Sequence, residues 1–252
     1  MITISNTTKR YGKTVVVDDV SLTIPRGGIT AIIGANGAGK STLLSIVGRL
    51  LQADGGTVTV DGLDVSKTRS EDLAKRLAVL RQENHMTVRL RVRELVAFGR
   101  FPHSGGRLKA ADHAAIEEAI EFFELGELAD RHLDQLSGGQ RQRAYVAMVL
   151  CQDTDYVLLD EPLANLDMRH STLMMRRLRD LAKTFGKTVV LVIHDINYAA
   201  CHSDHIIAMK KGAIVAQGDV REMISPAVLR DVFDLDIEVH DIDGQPIGVY
   251  YA

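Results

Sequence analysis

Gly34-Ala35-Asn36-Gly37-Ala38-Gly39-Lys40-Ser41-Thr42 follows the short apolar run Ile29-Thr30-Ala31-Ile32-Ile33. After it, Leu43, Ile46, Val47 and Leu50 recur at helical spacing. The nine residues match G-x-x-x-x-G-K-[ST], the loop that cradles phosphates between a strand and a helix. Small residues there let backbone amides approach an anion, and the helix start adds unpaired N–H groups and a positive dipole end. Lys40 is placed to reach the β- and γ-phosphates of a nucleotide, and the Ser41 hydroxyl to ligate Mg²⁺.

Working outward, Ile2-Thr3-Ile4, Thr14–Val17, the Val20/Leu22/Ile24 alternation and Thr57–Val60 predict a small, mostly antiparallel sheet around this unit. Tyr11 lies between two of these runs, where an aromatic is commonly only packing. Leu77–Leu80 reads as a buried strand running into Arg81-Gln82-Glu83. From Asn84 to Gln135 helical spacing takes over, with a break at Pro102–Gly106, which predicts an inserted helical subdomain. Strand-like runs return at Tyr156–Leu159 and Thr188–Ile193, separated by a helix carrying Leu173, Met174, Leu178 and Leu181. A hairpin is expected around Lys210-Lys211-Gly212, then a helix over Pro226–Phe233 and a last hairpin across Asp243-Gly244. Strands alternating with helices imply a largely parallel sheet and an α/β fold.

The 252 residues carry 30 basic and 33 acidic side chains, net −3, which gives no general attraction to nucleic acid, and no nucleic-acid partner is expected. The local basic clusters, Arg89/Arg91/Arg93 and Arg176/Arg177/Arg179, read as solvated faces. Cys151 and Cys201 form no C-x-x-C, so a disulfide framework is not expected. The N-terminal residues lack the pattern of a signal peptide, and no segment approaches the ~20 apolar residues that span a bilayer. A soluble protein, or one held at a membrane through a partner, is expected. His194, His202 and His205 are read as non-metal residues, and Met174-Met175 as core.

Asp160 and Glu161 end the apolar run Tyr156–Leu159 and should face the phosphate loop, since ligands of parallel sheets bind beyond the carboxyl ends of strands. One carboxylate would hold Mg²⁺ and the other would accept a proton from attacking water. Leu136-Ser137-Gly138-Gly139-Gln140 opens a further helix, with Ser137 as its N-cap and two glycines exposing amides. That is a second phosphate cradle in one chain. A two-fold dimer resolves the excess if each site takes the loop of one subunit and Ser137-Gly138-Gly139 of the other.

Leu136–Gln140, lying between the phosphate loop and Asp160-Glu161, resembles the signature motif of the ATPases of ABC transporters, and the resemblance extends over nearly the whole chain. It implies a P-loop NTPase cassette with a mostly parallel core sheet, an antiparallel β subdomain and an inserted α-helical subdomain. The core would span 1–83 and 152–225, the helical part 84–151, and a C-terminal helix and hairpin 226–252. It further implies that Glu161 is the catalytic carboxylate, with His194 and Gln82 also catalytic, and that Asp160, Ser41 and Gln82 are the Mg²⁺ ligands. Gln82 would sense Mg²⁺ and the membrane subunit, His194 would contact the γ-phosphate, and Tyr11 would stack on the base. Residues 34–42 and 137–140 would bind ATP, and Leu163–Asp167 would cross the dimer interface. Asn165–His170, His194–Asn197 and the final hairpin are similar to the ATPases of iron–siderophore importers, although that family often has Asn where this chain has Ala164. The implied partners are a second cassette, two transmembrane permease subunits and an extracytoplasmic substrate-binding protein, with this chain on the cytoplasmic face of the membrane. Importers of haem, cobalamin or metal ions, and a soluble ATPase of this type acting on nucleic acid or ribosomes, are the alternatives.

Overall fold

The computed structural model describes residues 1–82 and 88–251. Its central sheet runs β10-β9-β3-β8-β7-β6, formed by β3 (Gly28–Ile33), β6 (Leu77–Leu80), β7 (Tyr156–Asp160), β8 (Thr188–Val192), β9 (His205–Lys210) and β10 (Ala213–Gly218). All pairings are parallel except β10 with β9. β7 and β8 are buried at every position, as expected of apolar, β-branched strands covered on both faces. Successive side chains alternate between two cores. Ile29, Ala31, Ile33, Val157, Leu159, Val189 and Leu191 face one, and Ile32, Leu158, Val190 and Val192 the other.

The second core is closed by α1 (Lys40–Val47) and by an antiparallel sheet of order β2-β1-β4-β5. This sheet comprises β1 (Ile2–Tyr11), β2 (Thr14–Ile24), β4 (Gly55–Val60) and β5 (Leu63–Asp64). The runs Thr14–Val17 and Val20–Ile24 belong to one strand. Pairing with β1 shifts register along it, and Asp19 takes a φ of 47°, so a local irregularity interrupts the alternation without ending the strand.

The first core lies under helices α3 (Val92–Phe98), α5 (Ala110–Phe122), α6 (Gly138–Cys151), α7 (Met168–Thr184), α8 (Ile196–His202) and α10 (Pro226–Phe233). Short α2 (Ser70–Ala74), α4 (Phe101–Ser104) and α9 (Val220–Met223) complete the set. The predicted break at Pro102–Gly106 is narrower in the structure. Pro102 sits in the first turn of α4, where its missing N–H costs nothing, and only Gly105 and Gly106 turn left-handed. Met174 and Met175 are core residues. The terminal hairpin is β11 (Glu238–Ile242) with β12 (Gln245–Val249). The expected boundary between residues 83 and 84 lies outside the described residues. Several members of the two arginine clusters are ion-paired: Arg89 with Asp134, Arg93 with Glu117, Arg177 with Glu124 and Arg179 with Asp204. No described helix is long and apolar enough to cross a membrane.

Candidate functional site

β3 ends at Ile33 and α1 begins at Lys40, so the glycine-rich stretch is the strand-to-helix loop that its pattern predicts. Two glycines are required by close backbone approach. A Cβ on Gly34 (φ 145°) would meet Met209 O at 2.2 Å, and one on Gly39 (φ 99°) would meet Val16 O at 2.4 Å. The loop is thus wedged between β2 and β9. Gly212 N donates to Ala38 O at 3.0 Å, fixing its far side. Lys40 is 5% exposed and donates to Gly34 O (2.8 Å) and Ala35 O (3.0 Å). Burial pulls its pKa down, and the carboxylates of Glu161 and Asp160 oppose that shift.

Asp160 is the last residue of β7 and 7% exposed. Burial raises its carboxyl pKa, while the hydrogen bond it accepts from Ser41 Oγ, at 2.8 Å, acts the other way. A hydroxyl and a carboxylate held this close are oxygen donors of the kind Mg²⁺ takes, and the residues fit such an ion. Glu161 follows but does not continue the strand. Its φ of 50° turns the chain left-handed directly after the strand. Glu161 Oε2 accepts from Gln82 Nε2 at 2.8 Å, and Oε1 lies 2.6 Å from His194 Nε2. Lys40, Ser41, Gln82, Glu161 and His194 line one cavity of ≈ 430 Å³ with Val16 and residues 36–39 and 42. A neighbouring cavity of ≈ 420 Å³ joins Tyr11, 54% exposed, to Ser41, Thr42, Ser45, Gln82 and Asp160. Tyr11 closes β1 and carries the Lys9 ammonium 5.8 Å from its ring centroid. Tyr11, the glycine-rich loop, Gln82, Asp160, Glu161 and His194 therefore converge.

Ser137, Gly138, Gly139 and Gln140 line neither of these cavities. Ser137 caps α6 through a reciprocal pair. Gln140 N donates to Ser137 Oγ at 3.2 Å, and Ser137 N to Gln140 Oε1 at 3.0 Å. Within the same chain this helix start packs on the turn after Glu161. Cβ atoms placed on Gly138 and Gly139 would lie 3.6 Å from Asn165 Cβ and 3.1 Å from Leu166 Cδ2. Gln142 Nε2 donates to Pro162 O at 3.2 Å. Val16 and Gln142 carry no sequence signal. One acts through its backbone inside an apolar strand, and the other is one of several polar residues in Arg141-Gln142-Arg143. The arrangement can hold a polyphosphate at the loop amides and Lys40, and it presents a carboxylate, Glu161, able to accept a proton beside them.

Residues 17–164 match the family model described as ABC transporter. The chain is 49% identical over 252 residues to the petrobactin import ATP-binding protein YclP of Bacillus subtilis (strain 168), covering all of both chains. It is 53% identical over 250 residues to the petrobactin import ATP-binding protein FatE of Bacillus anthracis, covering 99% of this chain and 100% of that one. Among solved structures, a dimeric ATP-binding cassette in a post-hydrolysis state bound to ADP and Pi superposes with a TM-score of 0.79 at 30% identity. That match covers 88% of this chain and 99% of the other.

Proposed function

This chain belongs to the ABC transporter family as an ATP-binding cassette, and from that premise we propose that it drives uptake of a ferric siderophore of the petrobactin class through separate membrane permease subunits. It is an ATPase. Residues 34–42 bind the phosphates, with Lys40 supplying the fixed cation, and Tyr11 stacks on the base. Ser41 and Asp160 would hold Mg²⁺, with Gln82 beside them, and a metal ion bound there would neutralise phosphate charge. Glu161 accepts a proton from the water that attacks the γ-phosphorus, the bond to the β-phosphate oxygen breaks, and ADP and phosphate leave. His194 positions Glu161 and the γ-phosphate. Ser137, Gly138, Gly139 and Gln140 complete the partner cassette's site in a head-to-tail dimer, since in their own chain they lie away from the phosphate loop.

For the cargo, the reading rests on full-length identity to two petrobactin import subunits. On that basis an extracytoplasmic binding protein delivers the chelate, and this chain works on the cytoplasmic face. The test is uptake of ⁵⁵Fe-petrobactin by cells whose chromosomal copy is deleted and replaced by this chain or by Lys40→Ala. Restored, ATP-dependent uptake only with the unmodified chain supports the proposal. Restored uptake of haem or cobalamin, with none of the ferric chelate, would contradict it.

A further inference from the structure

Asn197 lies three positions after His194, and its side-chain amide grips the backbone of Gly248 from both sides. Nδ2 donates to Gly248 O at 3.1 Å, and Oδ1 accepts from Gly248 N at 2.8 Å. This reproduces the two-bond exchange of an antiparallel ladder. Gly248 stands opposite Val239 in the hairpin, and its N–H and C=O are turned outward to Asn197, so the side chain extends the hairpin by one further partner. The approach is close. A Cβ on Gly248 would lie 2.7 Å from Ile196 Cδ1 and 3.1 Å from Ile237 Cγ2.

Each residue after His194 is consequently tied down. Asp195 Oδ1 accepts from the N–H groups of Asn197 (2.8 Å) and Tyr198 (3.0 Å), Ile196 is buried against the hairpin, and Asn197 holds β12. Upstream, Ile193 N donates to Ile32 O at 3.2 Å. His194 is the residue between these two anchorages. α8 has 7 residues, too few for its own hydrogen bonds to hold its start rigidly. A two-stranded hairpin is likewise marginal alone. Each therefore depends on the other for order.

We propose that Asn197 is a positioning residue, and that the C-terminal hairpin, acting through it, holds His194 against Glu161 for hydrolysis. The proposal rests on His194 taking part in that reaction. Its imidazole reaches Glu161 Oε1 at 2.6 Å, and a shift of the α8 start displaces it from that contact.

The test uses the full chain. In Asn197→Leu, kcat for Mg-ATP should fall about ten-fold, as for a displacement of less than an ångström, with KM changed by less than about two-fold. Asn197→Asp keeps an oxygen for Gly248 N–H but loses the donor, so its kcat should fall between the two, and it carries the test if Asn197→Leu does not fold. Without nucleotide, amide exchange in both variants should quicken together over residues 193–200 and 245–249. Added to His194→Ala under single-turnover conditions, Asn197→Leu should cause no further loss. An unchanged kcat, an equal loss in the His194→Ala background, or faster exchange confined to 245–249 would overturn the proposal. Full activity of His194→Ala itself would instead remove the underlying assignment of His194, and the proposal with it.

Discussion

Asp160 shows how single residues trade stability for chemistry. Its carboxylate is buried at the end of β7, its pKa is raised by that burial, and its hydrogen-bond donor is Ser41 Oγ. Asn in its place keeps an oxygen for Ser41 and removes the buried charge. Asp160→Asn should therefore melt at a higher temperature than the unmodified protein without nucleotide, and hydrolyse ATP poorly, as scanning calorimetry and phosphate release would register. Lys40→Ala removes the cation donated to Gly34 O and Ala35 O, and equilibrium binding of a fluorescent ATP analogue should weaken by roughly ten- to a hundred-fold. These residues were legible in the sequence because their identity and spacing are set by local backbone geometry. Val16 and Gln142 were not, because each acts on a carbonyl or glycine that only the tertiary fold brings near.

Among the elements, the C-terminal end of α6 is a junction sensitive to pH. Arg100 donates from Nε to Asp112 Oδ1 (2.9 Å) and from Nη1 to Cys151 O (3.0 Å), joining the α3–α4 link, α5 and the last turn of α6. Asp112 also accepts from Lys109 N (2.9 Å), the cap of α5. The Lys109 amide first, and then the Arg100 guanidinium, hold the Asp112 carboxyl below its ordinary range, with burial opposing. A depressed carboxyl pKa stabilises the fold above the unfolded value, and that contribution is lost as pH falls through the folded one. The unmodified protein should therefore lose melting temperature more steeply than Asp112→Asn below about pH 4, while melting higher than the variant at neutral pH. Equal slopes would contradict this role. The helix and strand order was legible because the central strands are short apolar runs buried almost throughout, the end of β2 alternates, and burial in α7 follows helical spacing. α2, β5 and α9 escaped notice, since 2 to 5 residues are shorter than the period that would reveal them. The joining of two runs into β2 escaped because an irregularity breaks the alternation that marks a strand.

For the whole molecule, one chain holds the phosphate loop, Asp160, Glu161 and His194 in one cleft, and it holds Ser137–Gln140 against the turn that follows Glu161. The second cradle makes chemical sense only if another copy of the chain brings its own cleft to it. In the proposed dimer ATP belongs to both subunits and favours their closure by mass action, and hydrolysis releases them. Glu161→Gln tests this most directly, because glutamine preserves the shape and one acceptor oxygen of Glu161 but cannot take up the proton. Loss of the general base should slow hydrolysis by about 10²–10⁴-fold while ATP still binds. In size-exclusion chromatography with light scattering, the Glu161→Gln protein should run as a dimer with ATP and as a monomer with ADP. Adding Ser137→Arg, which blocks the second cradle, should return it to monomer. A Glu161→Gln protein that stays monomeric at saturating ATP, or a dimer indifferent to Ser137→Arg, would contradict the shared site.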